Sequence, residues 1–208
     1  MAQAPAITTV FVDVGNVLLT DSWGPAMRQK ALEHFSFDFA EVADRSRLTF
    51  EGYEEGDISL EEYLDWVVFY QERSFSRKAI IDFMLAQSGS HPEMLDLMRT
   101  LKARHGLKLV VVTNDGREFA THRIRQFGLT EFIDFFVISC FVRCRKPETR
   151  IYRLALDLSQ TPPAQVVYID DQLLFVEVAQ RLGMHGIHHT DCASTRAALE
   201  ALGLSLTP

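Results

Sequence analysis

Four short polar sites stand where apolar runs end: Asp13 after Val10 to Val12, Thr113-Asn114 after Val110 to Val112, Lys146-Pro147 a few residues beyond Ile138, and Asp170-Asp171 after Val166 to Ile169. Three carboxylates in one crevice cannot all ionise cheaply, because like charges at short range raise one another's pKa. A divalent cation resolves that conflict, and the all-oxygen donors Asp13, Asp170 and Asp171 suit Mg2+ better than a sulfur-preferring metal. Lys146 and the Thr113 hydroxyl can then hold phosphate oxygens, with the amides of Asn114 and Asp115, near a helix start, as further donors. Such a set can perform phosphoryl transfer with a carboxylate nucleophile.

For these sites to meet, the apolar runs must be neighbouring parallel strands, because the ligand crevice of an open α/β sheet lies at the carboxyl ends of its strands. The pattern predicts strands at Thr9 to Val14, Leu107 to Thr113, Phe135 to Cys140, Val166 to Ile169 and Gly186 to His189. Runs apolar on both faces suit a parallel sheet covered on each side. Helical patterns fall between them, at Pro92 to Arg104, Glu118 to Phe127, Arg150 to Leu158, Phe175 to Leu182 and Thr195 to Leu202. His105-Gly106 and Leu182-Gly183 read as C-terminal stops and Ser194 as an N-cap. The alternation is that of a doubly wound α/β, Rossmann-like fold.

One stretch departs from this rhythm. From about Thr20 to Ser88 only helical patterns occur, at Pro25 to Phe35, Phe39 to Thr49, Leu60 to Tyr70 and Arg77 to Gln87. Ser59 with Glu62 forms a capping-box signature at the third. The stretch is too long for a crossover connection and reads as a helical bundle inserted over the sheet. The expected division is residues 1–19 and 89–208 as an α/β core, and 20–88 as a helical cap, with Ser88-Gly89-Ser90 as a hinge.

The chain has 208 residues and a formal net charge of −7. Its composition, 47% hydrophobic and 24% charged, is that of a globular protein and excludes a disordered or fibrous one. No apolar run approaches the ~20 residues a membrane span needs, and Met1 to Thr9 lacks the charged and apolar regions of a secretory signal. The chain therefore reads as cytoplasmic, with Cys140, Cys144 and Cys192 as free thiols. An acidic balance without basic runs argues against nucleic acid as a partner, and a small phosphorylated substrate fits better.

The whole constellation resembles the haloacid dehalogenase-like hydrolase superfamily, over residues 8 to about 190. Its first motif is matched by Phe11-Val12-Asp13-Val14-Gly15-Asn16-Val17, its second by Val110-Val111-Val112-Thr113-Asn114, its third by Arg145-Lys146-Pro147, and its fourth by Tyr168-Ile169-Asp170-Asp171, followed by Gly183-Met184. The insertion after the first motif resembles the family's type-1 helical cap. The resemblance implies that Asp13 attacks phosphorus and forms an aspartyl-phosphate. It implies Mg2+ held by Asp13, the Gly15 carbonyl, Asp170 and Asp171, a phosphoryl group bound by Thr113 and Asn114, and Lys146 offsetting the charge of Asp13 and the phosphate.

The chain departs from the family pattern at Gly15, where most of its phosphatases carry a second Asp that acts as general acid and base. Losing such a group typically costs about 10²- to 10⁴-fold in rate. The Asp-x-Gly-Asn form nonetheless resembles a branch that includes sugar-phosphate phosphatases. Asp115, His122, Glu54 and Glu55 are the candidates to replace the acid.

Two other readings compete with a phosphatase. A 2-haloacid dehalogenase would use the same Asp on carbon, but needs no paired acids to hold a metal. A non-catalytic binder of a phosphorylated ligand or partner would account for Gly15. Zinc at Cys140, Cys144, Cys192 and His185, His188, His189 is disfavoured, because no second cysteine pair follows and strand histidines alternate in direction. The aromatic residues of the insertion, Phe35, Phe37, Phe39, Phe50, Tyr53, Tyr63, Trp66, Phe69, Tyr70 and Phe75, supply an inner face to its bundle. Tyr53 is the one expected to reach substrate or a second subunit.

Overall fold

The structure, a computed structural model, describes residues 6–21, 23–36 and 39–206. Five strands, β1 (Thr9–Val12), β2 (Lys108–Thr113), β3 (Phe135–Ile138), β4 (Val166–Asp170) and β5 (His185–His188), form one sheet in the order β3-β2-β1-β4-β5. Every neighbouring pair is parallel. The helices are α1 (Pro25–Phe35), α2 (Phe39–Glu54), α3 (Leu60–Val67), α4 (Arg77–Ala86), α5 (Pro92–His105), α6 (Arg117–Gln126), α7 (Ser139–Val142), α8 (Thr149–Ser159), α9 (Leu173–Arg181) and α10 (Cys192–Ala201). None among the described residues is long and apolar enough to cross a membrane.

The doubly wound α/β fold follows from strands whose alternate residues feed two apolar layers. Val10, Val12, Leu109, Val111, Val167 and Ile169 pack with Met94, Leu97, Met98 and Leu101 of α5 and Leu199 of α10. Phe11, Val110, Val112, Val137, Val166 and Tyr168 face Ile151, Tyr152 and Ala155 of α8 and Val176 and Ala179 of α9. Each fully buried side chain of this size contributes roughly 1.5–3 kcal/mol. The sheet is therefore covered on both sides, and its carboxyl edge is left as the polar rim.

α1 to α4 make a third apolar cluster with Tyr53, Tyr63, Leu64, Ile80 and Met84 at its centre, joined by Phe119 of α6. The two chain segments that reach it run side by side. Leu19 bridges Ser90 antiparallel, Thr20 N donates to Gly89 O at 3.0 Å, and Gly89 N donates to Thr20 Oγ1 at 2.8 Å. Phe37 lies outside the described residues, as does the side chain of Phe39.

Element ends differ from the sequence pattern where the ladder or a long-range contact decides them. β1 stops at Val12, not Val14, because its pairing with Val111 and Ile169 ends there. β3 stops at Ile138, opposite the last residue of β2, so Ser139 and Cys140 have no strand to pair with and turn into α7 instead. α2 runs past Thr49 and through Gly52 to Glu54. The ~1 kcal/mol cost of a helical glycine is outweighed by burial of Tyr53, which is 1% exposed. α3 ends at Val67, since the Val68 and Phe69 amides both close on Leu64 O. The capping box of Ser59 and Glu62 forms, and Gly106 closes α5 with φ 63°. Ser194 is not the cap of α10: Asp191 is, its carboxylate accepting from Ser194 N at 2.8 Å.

Candidate active site

Chain order reverses at β1, which lies between β2 and β4, so its carboxyl end is the topological switch point where such sheets bind ligands. Asp13 follows β1 there and is buried, its N–H donating to Ile169 O at 2.9 Å. Thr113 closes β2 and Asp170 closes β4, both buried, with Asp171 next and half-buried. The structure brings Asp13, Gly15, Thr113, Asn114, Lys146 and Asp171 to the lining of one cavity of about 270 Å³. Asp170 sits just behind it.

Lys146 is the charge that binds these acids together. Its Nζ is 2.9 Å from Asp13 Oδ1 and 2.7 Å from Asp170 Oδ2, with its side chain only 1% exposed. Burial alone would lower its pKa, but the two carboxylates outweigh burial and hold it above the ordinary lysine range. The ammonium also stands 4.9 Å over the Phe175 ring. Asn114 holds the Lys146 backbone with both ends of its amide, at 3.0 Å and 2.8 Å. That side chain is thus engaged with the loop, and the Asp115 amide is taken by Ser139 Oγ at 3.0 Å. The sequence pattern offered the Asp115 amide as a phosphate donor, and here that amide donates to Ser139 instead.

Asp13, Asp170 and Asp171 bring ligand atoms within 4.8 Å of one another. Three ionised carboxylates against one ammonium leave two negative charges, which a dication would match. Asp13 Oδ1 has its ion pair but no hydrogen bond. Burial raises Asp170, and Lys146 opposes the rise. Asp171 is aimed by Asn16, whose Nδ2 donates to Oδ2 at 3.1 Å, and by Gln172 Nε2 at 2.8 Å. Asn16 takes the left-handed conformation (φ 53°), which Asn tolerates better than most residues. The donor set fits a hard, oxygen-preferring divalent cation.

The opposite wall comes from the helical insertion. Arg28 reaches the cavity from a polar network inside the bundle: Nε donates to Trp23 O and Nη1 to Ser46 Oγ, both at 3.1 Å. Ser46 in turn meets the Tyr63 hydroxyl at 2.7 Å. Tyr53 lines the cavity and stacks on Tyr63 with centroids 5.5 Å apart. Its ring lies so close to Gly116 that a Cβ there would fall 2.0 Å from a ring carbon. Glu54 follows, its carbonyl accepting from Ser139 Oγ at 2.6 Å and its Oε2 paired with Arg145 Nη2 at 2.6 Å.

Of the four acid candidates the structure brings two to the cavity, Glu54 and Asp115. His122 lies in a separate groove with Arg117 and Arg125, and Glu55 is outside the lining. Burial pushes Glu54 up to about 7 against the pull of Arg145, and Asp115 up to about 6 against the pull of Arg123. The position two after Asp13 is open: a Cβ on Gly15 meets nothing within 4 Å. Sequence reasoning missed Asn16, Arg28, Arg123, Arg145 and Tyr168. Asn16, Arg145 and Tyr168 had a visible signal, as members of the first, third and fourth motifs.

The sequence profile described as haloacid dehalogenase-like hydrolase matches residues 7–183. Bifunctional epoxide hydrolase 2 of Sus scrofa is 28% identical over 156 residues, 66% of this chain and 28% of that protein. Sesquiterpene phosphatase astK of Aspergillus oryzae is 32% identical over 111 residues, 52% of this chain and 55% of that protein. The chain thus spans well under two thirds of the length of these relatives. The fold is similar to that of the enzyme bt-2542 of Bacteroides thetaiotaomicron, solved with magnesium and inorganic phosphate. The TM-score is 0.74 at 20% identity, over 88% of this chain and 93% of that one.

Proposed function

The chain belongs to the haloacid dehalogenase-like hydrolase family, and from that we propose that it is a Mg2+-dependent phosphatase of a small phosphorylated metabolite, with a sugar phosphate as one candidate. The observation that carries this reading is the meeting of Asp13 with Asp170, Asp171 and Lys146 at the head of the sheet. Asp13 is the nucleophile: its carboxylate attacks phosphorus, and water then hydrolyses the aspartyl-phosphate. Asp13, the Gly15 carbonyl, Asp170 and Asp171 would hold Mg2+, which when bound neutralises phosphoryl charge. The Thr113 hydroxyl and the Asn114 backbone orient the phosphoryl oxygens, and Lys146 balances them. Residues 20–88 act as the cap over a core of 1–19 and 89–208. Arg28, Trp23, Phe50 and Tyr53 are the cap side chains that face the rest of the substrate.

The relative named as a sesquiterpene phosphatase supports phosphate ester chemistry, and the acidic cluster weighs against metal-free dehalogenation. The test is phosphate release from a panel of phosphorylated metabolites and p-nitrophenyl phosphate with Mg2+, after chelation, and with Asp13→Asn. Release that needs both the metal and Asp13 is expected. Metal-independent chloride release from a 2-haloacid, without phosphatase activity, would replace this reading with a dehalogenase. Ligand-induced stabilisation without turnover above Asp13→Asn would mark a binding protein instead.

A further inference from the structure

We propose that Glu54, carried to the cavity by the last turn of α2, is the acid and base that Gly15 does not supply. This rests on the phosphatase reading. Glu54 lines the cavity that holds Asp13, and its side chain is 13% exposed. Its position is set twice, by Ser139 Oγ on its carbonyl and by Arg145 on Oε2, and no hydrogen bond to the described residues engages Oε1. Arg145 divides its charge, holding Glu51 through Nη1 at 2.6 Å and Glu54 through Nη2. A proton on Glu54 therefore meets weaker opposition than one on a singly paired acid.

The other acids of the cavity are otherwise engaged. Asp115 is locked at 3.0 Å to buried Arg123, which also donates to Thr20 O at 2.7 Å, so this pair ties α6 to the chain segment entering the insertion. Asp21 is folded back against Gly24 ahead of α1. The charged and titratable groups around Glu54 are Glu51 on its own helix, Arg145 and Lys146 on the loop before Pro147, Asp115 after β2 and Tyr63 on α3. Burial raises its pKa to about 7, which leaves both protonation states available near neutrality.

In the first step an Asp13 oxygen bonds to phosphorus, the bond from phosphorus to the ester oxygen breaks, and the Glu54 proton goes to that oxygen to release an alcohol. In the second step Glu54 takes a proton from water as the water oxygen bonds to phosphorus. The bond from Asp13 to phosphorus breaks, giving inorganic phosphate and restoring both carboxyl groups to their starting states.

The test compares an alkyl phosphate, whose leaving oxygen needs a proton, with p-nitrophenyl phosphate, whose leaving group needs little help. Wild type, Glu54→Gln, Glu51→Gln and Asp13→Asn are assayed with saturating Mg2+. In kcat/KM, which reads the steps up to release of the alcohol and not the shared hydrolysis of the aspartyl-phosphate, Glu54→Gln is expected to lose about 10²- to 10⁴-fold on the alkyl ester and less than about tenfold on p-nitrophenyl phosphate. The ratio of the two rates does not depend on the fraction of folded enzyme. Glu51→Gln leaves Arg145 to Glu54 alone and so favours its ionised form, but it keeps the Glu54 carboxyl and is expected to shift that ratio far less than Glu54→Gln does. Equal losses of Glu54→Gln on both esters, no loss, or the same selective loss in Glu51→Gln would each overturn the assignment while Asp13-dependent phosphatase activity stands. Absence of Asp13-dependent activity in wild type would overturn the phosphatase reading itself, and this inference with it.

Discussion

Asn114 holds the backbone of Lys146 from both sides: its Nδ2 donates to the Lys146 carbonyl at 3.0 Å, and its Oδ1 accepts from the Lys146 N–H at 2.8 Å. The residue after β2 thereby fixes a loop 32 positions away, and with it the ammonium between Asp13 and Asp170. In Asn114→Ala both backbone groups lose their partner, at about 1–3 kcal/mol. Displacement of a catalytic group by an ångström costs about 10²-fold, so kcat/KM is expected to fall by about that factor. Steady-state kinetics beside a thermal melt check this, and wild-type kcat/KM in a destabilised variant would exclude a positioning role.

Asn16 acts on the proposed metal through Asp171. Residues that aim a ligand typically contribute about 10- to 100-fold in metal affinity, and Asn16→Ala removes the 3.1 Å hydrogen bond to Asp171 Oδ2. The expected result is weaker Mg2+ binding by that factor, with kcat largely restored at saturating metal. Calorimetry with the metal alone and Mg2+ titration of activity measure the two quantities. Unchanged affinity would mean that Asp171 is held well enough by Gln172.

Gly116 is where the helical insertion rests on the core. Its missing side chain is space used by the Tyr53 ring, so Gly116→Ala must push that ring out of its place between Tyr63 and Phe119. Overpacking of this kind costs about 1–3 kcal/mol. The melting temperature should drop accordingly, and Tyr53→Ala should absorb most of the penalty in the double variant, because contacting residues do not act additively. Full additivity would show that the two positions do not press on each other.

Glu54 should make metal-free stability depend on pH with a definite sign. Its folded pKa, about 7, lies above the ordinary 4.5, chiefly through burial. The stabilisation from its protonated form is present below about 4.5 and is lost as pH rises through about 7. The upper limit is on the order of 3 kcal/mol. Asp115, raised to about 6 by burial, acts in the same direction over a slightly lower window. Denaturant unfolding of wild type and Glu54→Gln between pH 5 and 8 is expected to show wild type losing stability relative to the variant as pH rises. A difference constant across that range would mean that the carboxyl titrates as an exposed one.

Much of the core could be read from the chain because its signals are local. Asp13, Thr113 and Asp170 each end or follow an apolar run, so sequence alone marks them as strand-end residues, and a parallel fold must gather strand ends on one edge. The inserted helices were visible for the same reason, as apolar residues at helical spacing. Helix ends were less legible: α2 continues through Gly52 only because Tyr53 is buried at its far side, and Asp191, not Ser194, caps α10.

Which of the four candidates reaches the cavity that holds Asp13 was a matter for tertiary structure, which brings Glu54 and Asp115 there. Glu54, Glu55, Asp115 and His122 are equivalent on composition and position. What separates them is the contact of Glu54 with Ser139 and Arg145, 85 and 91 residues away, and the burial that follows from it. Sequence determined the periodicities and the places where polarity interrupts them, because those depend on neighbours along the backbone. The protonation and orientation of a particular carboxyl depend on the charges and dielectric around it in space, and those exist only once the chain has folded.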